Sequence, residues 1–347
     1  MKVLVTGGAG YLGTVLCREL INRGHEPVVV DRMFWPPSYL DEIGVRSIKG
    51  DLRNLDGSWL DNIDAVAHLA GLSNDPTADY NPDANWQMNV TATEMLISAC
   101  KKRGISRFTF ASSASIYDTD QSSSELDHSP VMCDEETVVR PRGAYSISKH
   151  EAEKLLQAAV DERFGPVILR QGTVYGFSPR MRFDLVVNTF IKDAVINRKI
   201  YLHGGGWMWR PLVDAVDIAR AHIMCLEAGP EKIGGQIFNV LEENYQIRQL
   251  AMLVAGSLAL MADPITVELV ETPLPKLVRN YRMSNAKLSR MVGFTPSVTV
   301  LQSIHQMLRS LPIDNAEEMM HPRHFNIRWM TLLEEVHKYQ SDFPSIY

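Results

Sequence analysis

The chain is poor in the features that would tie it to an oxidising compartment, a membrane or a nucleic acid. Its four cysteines, Cys17, Cys100, Cys133 and Cys225, are far apart and form no CxxC pair. A disulfide framework is therefore not indicated, and they read as buried free thiols of a reducing compartment. No apolar run reaches the roughly 18 residues of a membrane span, and Met1-Lys2 leads straight into Val3-Leu4-Val5 without a secretory leader. A cytoplasmic protein with no membrane partner is expected. Basic excess is missing too. The net charge of -6 argues against a nucleic-acid partner, though it leaves room for a local pocket of a few arginines. There is no HExxH, no GxSxG, no internal repeat and no low-complexity tract. His321 and His324 lie three apart without a supporting acid or cysteine motif, so no metal site is expected.

What is present is an ordinary globular composition, 45% apolar and 22% charged, arranged in a regular alternation. Short β-branched runs at Met1–Val5, Pro27–Val30, Val45–Lys49, Ala65–Leu69, Arg107–Ala111 and Val167–Leu169 are separated by helical patterns. The longest of these cover Thr14–Asn22, Asn85–Arg103 and Ala144–Asp161. That alternation predicts an α/β fold with a doubly wound parallel sheet. From about Thr173 the rhythm loosens, as a smaller lobe of interleaved segments would make it. Pro312–Tyr347 reads as a C-terminal extension whose packing partner the sequence does not reveal.

Between the first strand and first helix lies Gly7-Gly8-Ala9-Gly10-Tyr11-Leu12-Gly13, a GxxGxxG spacing. Glycines there permit a tight turn and a close backbone approach to a pyrophosphate, whose charge meets the helix N-terminus. Asp31 closes the second strand 18 residues after Gly13, where a carboxylate accepts from ribose hydroxyls and repels a 2′-phosphate. NAD is thus favoured over NADP, with the neighbouring Arg32 able to soften the preference. Gly50-Asp51-Leu52 ends the third strand. Asp51 reads equally as an adenine contact and as a turn residue. His68 reads as a core histidine, and Leu69-Ala70-Gly71 after it are small enough for a cofactor to pass close by.

Tyr145-Ser146-Ile147-Ser148-Lys149 places a phenol and an ammonium on one helix face. A nearby cation lowers a tyrosine's pKa towards working pH, which makes Tyr145 a general base or acid. Ser113, in Phe110-Ala111-Ser112-Ser113-Ala114-Ser115, follows the fifth strand and can hydrogen-bond a reacting oxygen. Together these motifs resemble the extended short-chain dehydrogenase/reductase family, specifically its nucleotide-sugar epimerases, dehydratases and reductases. The resemblance runs over residues 1–310 and is strongest over the first 220.

The resemblance implies a Rossmann-type NAD-binding domain over 1–172, with Asn89 added to the cofactor set, and catalysis by Ser113, Tyr145 and Lys149. It implies a smaller α/β substrate lobe over 173–311, interleaved with the last Rossmann elements, followed by the 312–347 extension. Arg170-Gln171-Gly172-Thr173-Val174-Tyr175-Gly176 resembles the segment lying against the nicotinamide. Ser115, Arg180, Arg182, Asn188, Arg210 and Arg279 are the expected contacts to a nucleotide-diphosphate sugar, the arginines as forks for phosphate oxygens. The activity so implied is oxidation at C4 with a 4-keto intermediate, giving a 4-epimerase, a 4-dehydrogenase or a 4-ketoreductase. A non-catalytic NAD-binding protein is the alternative of another class. Family members pair the helices matching Asn85–Arg103 and Ala144–Asp161 into a homodimer, and both helices here carry wide apolar stripes suited to it. The family's dehydratases have an adjacent Asp-Glu pair where this chain has Ala114 and Ser115, so 4,6-dehydration is not expected.

Overall fold

The computed structural model describes residues 1–118, 130–274 and 279–342. Val3, Leu4 and Val5 are all fully buried, and a strand apolar on both faces belongs inside a sheet covered on both sides. Accordingly β1 (Lys2–Thr6) is central in a seven-stranded parallel sheet. The others are β2 (Glu26–Asp31), β3 (Arg46–Lys49), β4 (Ala65–His68), β5 (Arg107–Ser113), β6 (Val167–Gln171) and β7 (Ile237–Val240). Their spatial order is β7-β6-β5-β4-β1-β2-β3. This is the doubly wound Rossmann-type sheet implied above.

Alternate residues feed two cores. Val3, Val5, Ala65 and Ala67 pack with Leu16 and Leu20 of α1 (Tyr11–Asn22). Leu4, Val28 and Val66 pack with Leu96 of α2 (Ala92–Arg103) and Leu156 of α3 (Ala144–Ala158). The strand order reverses between β1 and β4, so their carboxyl ends open the crevice in which such sheets take ligands.

The single helix expected over Asn85–Arg103 is three pieces: Pro82–Trp86, a π-helical turn at Gln87–Thr91, and α2. The wide turn carries the buried Asn89. Its amide accepts from Leu72 N at 2.8 Å and donates to Leu72 O at 3.0 Å and to Ser148 Oγ at 3.0 Å. One extra residue in a turn leaves the apolar periodicity nearly unchanged, which is why the sequence pattern does not register it.

After β6 the chain leaves the main sheet. Thr173–Tyr175, Trp209–Asp214 and Glu243–Gln246 form a three-stranded sheet, and Lys199–His203 pairs in parallel with Glu268–Thr272. The helix α4 (Ala215–Ala228) and β7 then return, with Phe238 opposite Leu169 of β6. The extension folds back over the carboxyl ends of the strands and finishes in α5 (Asn326–Asp342). Trp329 Nε1 donates to Phe34 O at 2.7 Å, Trp35 Nε1 to Arg323 O at 2.9 Å, and Tyr80 OH to Glu334 Oε2 at 2.7 Å. All four cysteines are buried and free. Among the described residues no helix is long and apolar enough to cross a membrane.

Candidate active site

Gly7, at φ +73°, ends β1 with its α-carbon against the backbone of Ala70, where a Cβ would fall 2.8 Å from that residue's N and Cα. A Cβ on Gly13 would lie 2.4 Å from Gly7 O. The turn, the start of α1 and the end of β4 are therefore packed backbone to backbone. No side chain caps α1, so the first-turn amides at Tyr11, Leu12 and Gly13 remain for an anion.

Asp31 accepts from Ala9 N at 3.1 Å and Met33 N at 2.8 Å. Burial raises its carboxyl above the usual range, with those two amides acting against it. Asp51 caps the turn at Leu52–Asn54 and pairs with Arg53 Nη2 at 2.7 Å and Arg32 Nε at 3.3 Å. The Arg53 hydrogen bond holds its carboxyl below the usual range. Arg32 also lies 4.4 Å over the Phe34 ring, so its charge is engaged on both sides.

The glycine turn, Asp31, Arg32, Asp51, Leu52, Leu69, Ala70 and Gly71 line one cleft with Ser113, Tyr145 and Lys149. A dinucleotide suits the uncapped helix and the backbone cradle.

α3 presents Tyr145 and Lys149 one turn apart towards the end of β5. Ser113 lines the same cleft, near enough to the Tyr145 hydroxyl to act on its ionisation. Lys149 Nζ donates to Ala111 O at 2.8 Å and lies 4.6 Å over the Phe110 ring. The ammonium was expected to lower the phenol's pKa. Instead burial pushes Tyr145 up to about 12, with the nearby Ser113 side chain opposing it. Burial also brings Lys149 down to about 8, against the pull of Glu153. Without ligands the pair is therefore set as a protonated phenol beside a weakened ammonium. Glu153 is itself fixed by Ser112 Oγ at 2.5 Å and Arg170 Nη2 at 2.8 Å.

The expected substrate contacts divide. Arg180, Arg182 and Arg279 line the cleft. Arg182 forks onto Asp184 at 2.8 and 2.9 Å and donates to Ser73 Oγ at 3.0 Å. Burial would weaken this guanidinium, but the Asp184 carboxylate more than offsets it. Arg279 pairs with Asp75 and lies 3.5 Å from Asp118. Arg180 points the other way, stacking 3.6 Å over Trp35 and donating to Asn326 Oδ1 at 2.6 Å.

Arg210, Asn188, Ser115 and Asn89 do not line the cleft. Arg210 donates to the carbonyls of Trp209 and Arg279. Asn188, fully buried, joins Gly176 N at 3.1 Å, Tyr11 OH at 3.2 Å and Arg182 O at 2.9 Å. Ser115 lies buried behind Ser113, its amide donating to Ser113 Oγ at 3.2 Å. Asn89 fastens the backbone at Leu72 instead.

Sequence reasoning missed Phe34 and Trp35 after β2, Ser73, Asn74 and Thr77 after β4, and Asn326 and Met330 of the tail, all in the cleft wall. The first five could have been found from their position just beyond strand ends. Nothing local marks the last two.

A parallel sheet with this crevice and a Ser-Tyr-Lys set at its edge defines a nicotinamide-dependent short-chain oxidoreductase. More closely, the profile of the NAD dependent epimerase/dehydratase family matches residues 3–240, and the chain belongs to that family. Its cofactor is NAD. A Bacillus subtilis (strain 168) relative, the uncharacterized UDP-glucose epimerase YtcB, is 30% identical over 251 residues, 67% of this chain and 75% of that one. The UDP-glucose 4-epimerase of Corynebacterium glutamicum is 25% identical over 328 residues, covering 88% and 93% of the two chains. Among solved structures, MoeE5 in complex with UDP-glucose and NAD superposes with a TM-score of 0.76 at 26% identity, over 89% of this chain and 99% of that one.

Proposed function

We propose that the protein oxidises C4 of a nucleotide-diphosphate sugar, retains the 4-keto intermediate and reduces it again, for net C4 epimerisation. The observation that carries this reading is the convergence of Ser113, Tyr145 and Lys149, the last two one helical turn apart, in the wall of the cleft that the glycine turn and Asp31 also line. Bound NAD supplies the oxidant for C4. Ser113 holds the O4 hydroxyl and Tyr145 exchanges its proton, as base during oxidation and as acid during reduction. Lys149 is the cation placed to steady the phenolate. Arg182 and Arg279 face the remaining space and suit the phosphate oxygens of the sugar nucleotide. Asn188, Arg210, Ser115 and Asn89 support this wall from behind. In this reading 1–172 binds NAD, 173–311 holds the sugar nucleotide and 312–347 covers the cleft. The enzyme works in the cytoplasm, in carbohydrate biosynthesis, as a homodimer.

The test is incubation of the purified protein with a panel of NDP-hexoses while the NADH absorbance band and the product sugars are followed. Conversion to the C4 epimer without net NADH change is expected. Stoichiometric NADH growth would make it a 4-dehydrogenase, consumption of added NADH a 4-ketoreductase. Inertness towards every sugar would leave a non-catalytic NAD-binding protein.

A further inference from the structure

A chain of polar side chains spans the cleft, and its inner end is unsatisfied. Arg180 donates to Asn326, Asn326 Nδ2 donates to Ser73 Oγ at 3.2 Å, and Ser73 Oγ also accepts from Arg182. Stacking on Trp35 fixes the plane of the Arg180 guanidinium at one bank. The tail is fastened on both banks, by Trp329 to Phe34 and by Glu334 to Tyr80. Arg180 is only 9% exposed, yet its Nε has no partner. An orphaned buried donor on a cation calls for an anionic acceptor.

The place it faces is defined by its neighbours. Ser178, two residues before, donates its hydroxyl to Tyr11 O at 2.7 Å and accepts from Arg180 N at 3.2 Å. This ties the arginine to the first turn of α1, whose uncapped amides offer the other half of an anion site.

We propose that Arg180 and Asn326 clamp the diphosphate of the cofactor against the α1 N-terminus, and that the tail is a strap retaining NAD between turnovers. The clamp rests on the NAD-dependent reading but not on which sugar is used. A dinucleotide reaching from Asp51 to Tyr145 passes beneath the Arg180–Asn326–Ser73 bridge and leaves only when it opens. Burial holds the guanidinium down to about 9, so it is still charged near neutral pH, and a diphosphate beside it would offset that desolvation. Retention suits a reaction that regenerates its cofactor in every cycle, whereas a dehydrogenase or reductase with net turnover must exchange it.

The protein loaded with NAD is desalted into an excess of fluorescent etheno-NAD, and release of the original nucleotide is timed by chromatography. Asn326→Ala and Arg180→Ala should each release NAD about 10- to 100-fold faster, the loss of a charge-assisted buried hydrogen bond. UDP affinity at saturating NAD, measured in parallel, should stay within about twofold, on the scale of a surface change. A chain ending at residue 311 should release faster still, but it also loses the buried Met319, so the point variants decide. Unchanged release in both would overturn the clamp. Weakened UDP binding with unchanged NAD release in Arg180→Ala would also overturn it, by assigning the arginine to the sugar nucleotide. If the native chain takes up no NAD, the clamp and the functional reading fail together.

Discussion

Burial displaces Tyr145 and Lys149 from their ordinary ionisation in opposite senses. Tyr145→Phe removes the proton carrier but little packing, so fold and NAD affinity should persist while turnover falls roughly 10²–10⁴-fold. Near-native turnover of the variant in the epimerisation assay would remove Tyr145 from the chemistry. Lys149 stands at about 8 in the fold against an ordinary 10.5. A base depressed by folding costs stability in full below its folded pKa, and that cost is relieved as pH rises towards the unfolded value. NAD-free Lys149→Met should therefore be more stable than the native chain at pH 7, by roughly 1–3 kcal/mol. The advantage should shrink as pH rises from about 8 towards 10.5, read by thermal unfolding at the two ends of that range. Ala114 and Ser115 are both buried and neither is an acid. Mass analysis of NDP-hexose products should show no species lighter by one water, and its appearance would mean another residue protonates the leaving hydroxyl. At this scale the sequence is legible wherever a motif sits at a strand end, as Ser113, Asp31 and Gly71 do. It is not legible for Asn188 or Arg210, whose facing depends on packing from segments far away in sequence.

Among the elements, α2 and α3 carry the expectation of a homodimer. The apolar stripes read for that contact are largely used by the sheet, since Ala92, Leu96, Cys100, Ala152 and Leu156 are buried within the protomer. What the outer faces offer is Met95, 37% exposed, and Ile147, 36% exposed, beside Glu94, Ser98 and Lys154. A two-fold contact through these residues would be isologous, each helix meeting its own copy or its neighbour's. Light scattering should report a dimer at micromolar concentration, and Met95→Glu should shift it towards monomer. A native chain that is monomeric there would remove the dimer. Helix existence was readable from periodicity, but the direction of each stripe was not, because a helix on a sheet and a helix in a bundle share one pattern. The π-turn at Gln87–Thr91 escaped for a related reason, its signature being a single buried amide.

For the molecule as a whole, the parallel sheet and the position of its crevice follow from the alternation of strand and helix patterns. The roof over that crevice does not, because Asn326 and Met330 have no local signal and meet the cleft only through the return of the tail. The interleaving of lobe and sheet has a further consequence, for synthesis. β6 is buried on every residue in the finished protein, but β7, which covers its edge, comes only after residues 172–236. At roughly 5–20 residues per second, those residues keep the ribosome busy for roughly 3–13 s. For an interval of that length, from the emergence of β6 from the ribosome to the emergence of β7, Val167-Ile168-Leu169 offers an unpaired, apolar strand edge to any neighbour on the same polysome. The nascent chain is thus most open to cross-pairing between those two events, and slowing elongation after β6 has emerged but before β7 has should lower soluble yield more than an equal delay after β7 is outside the ribosome.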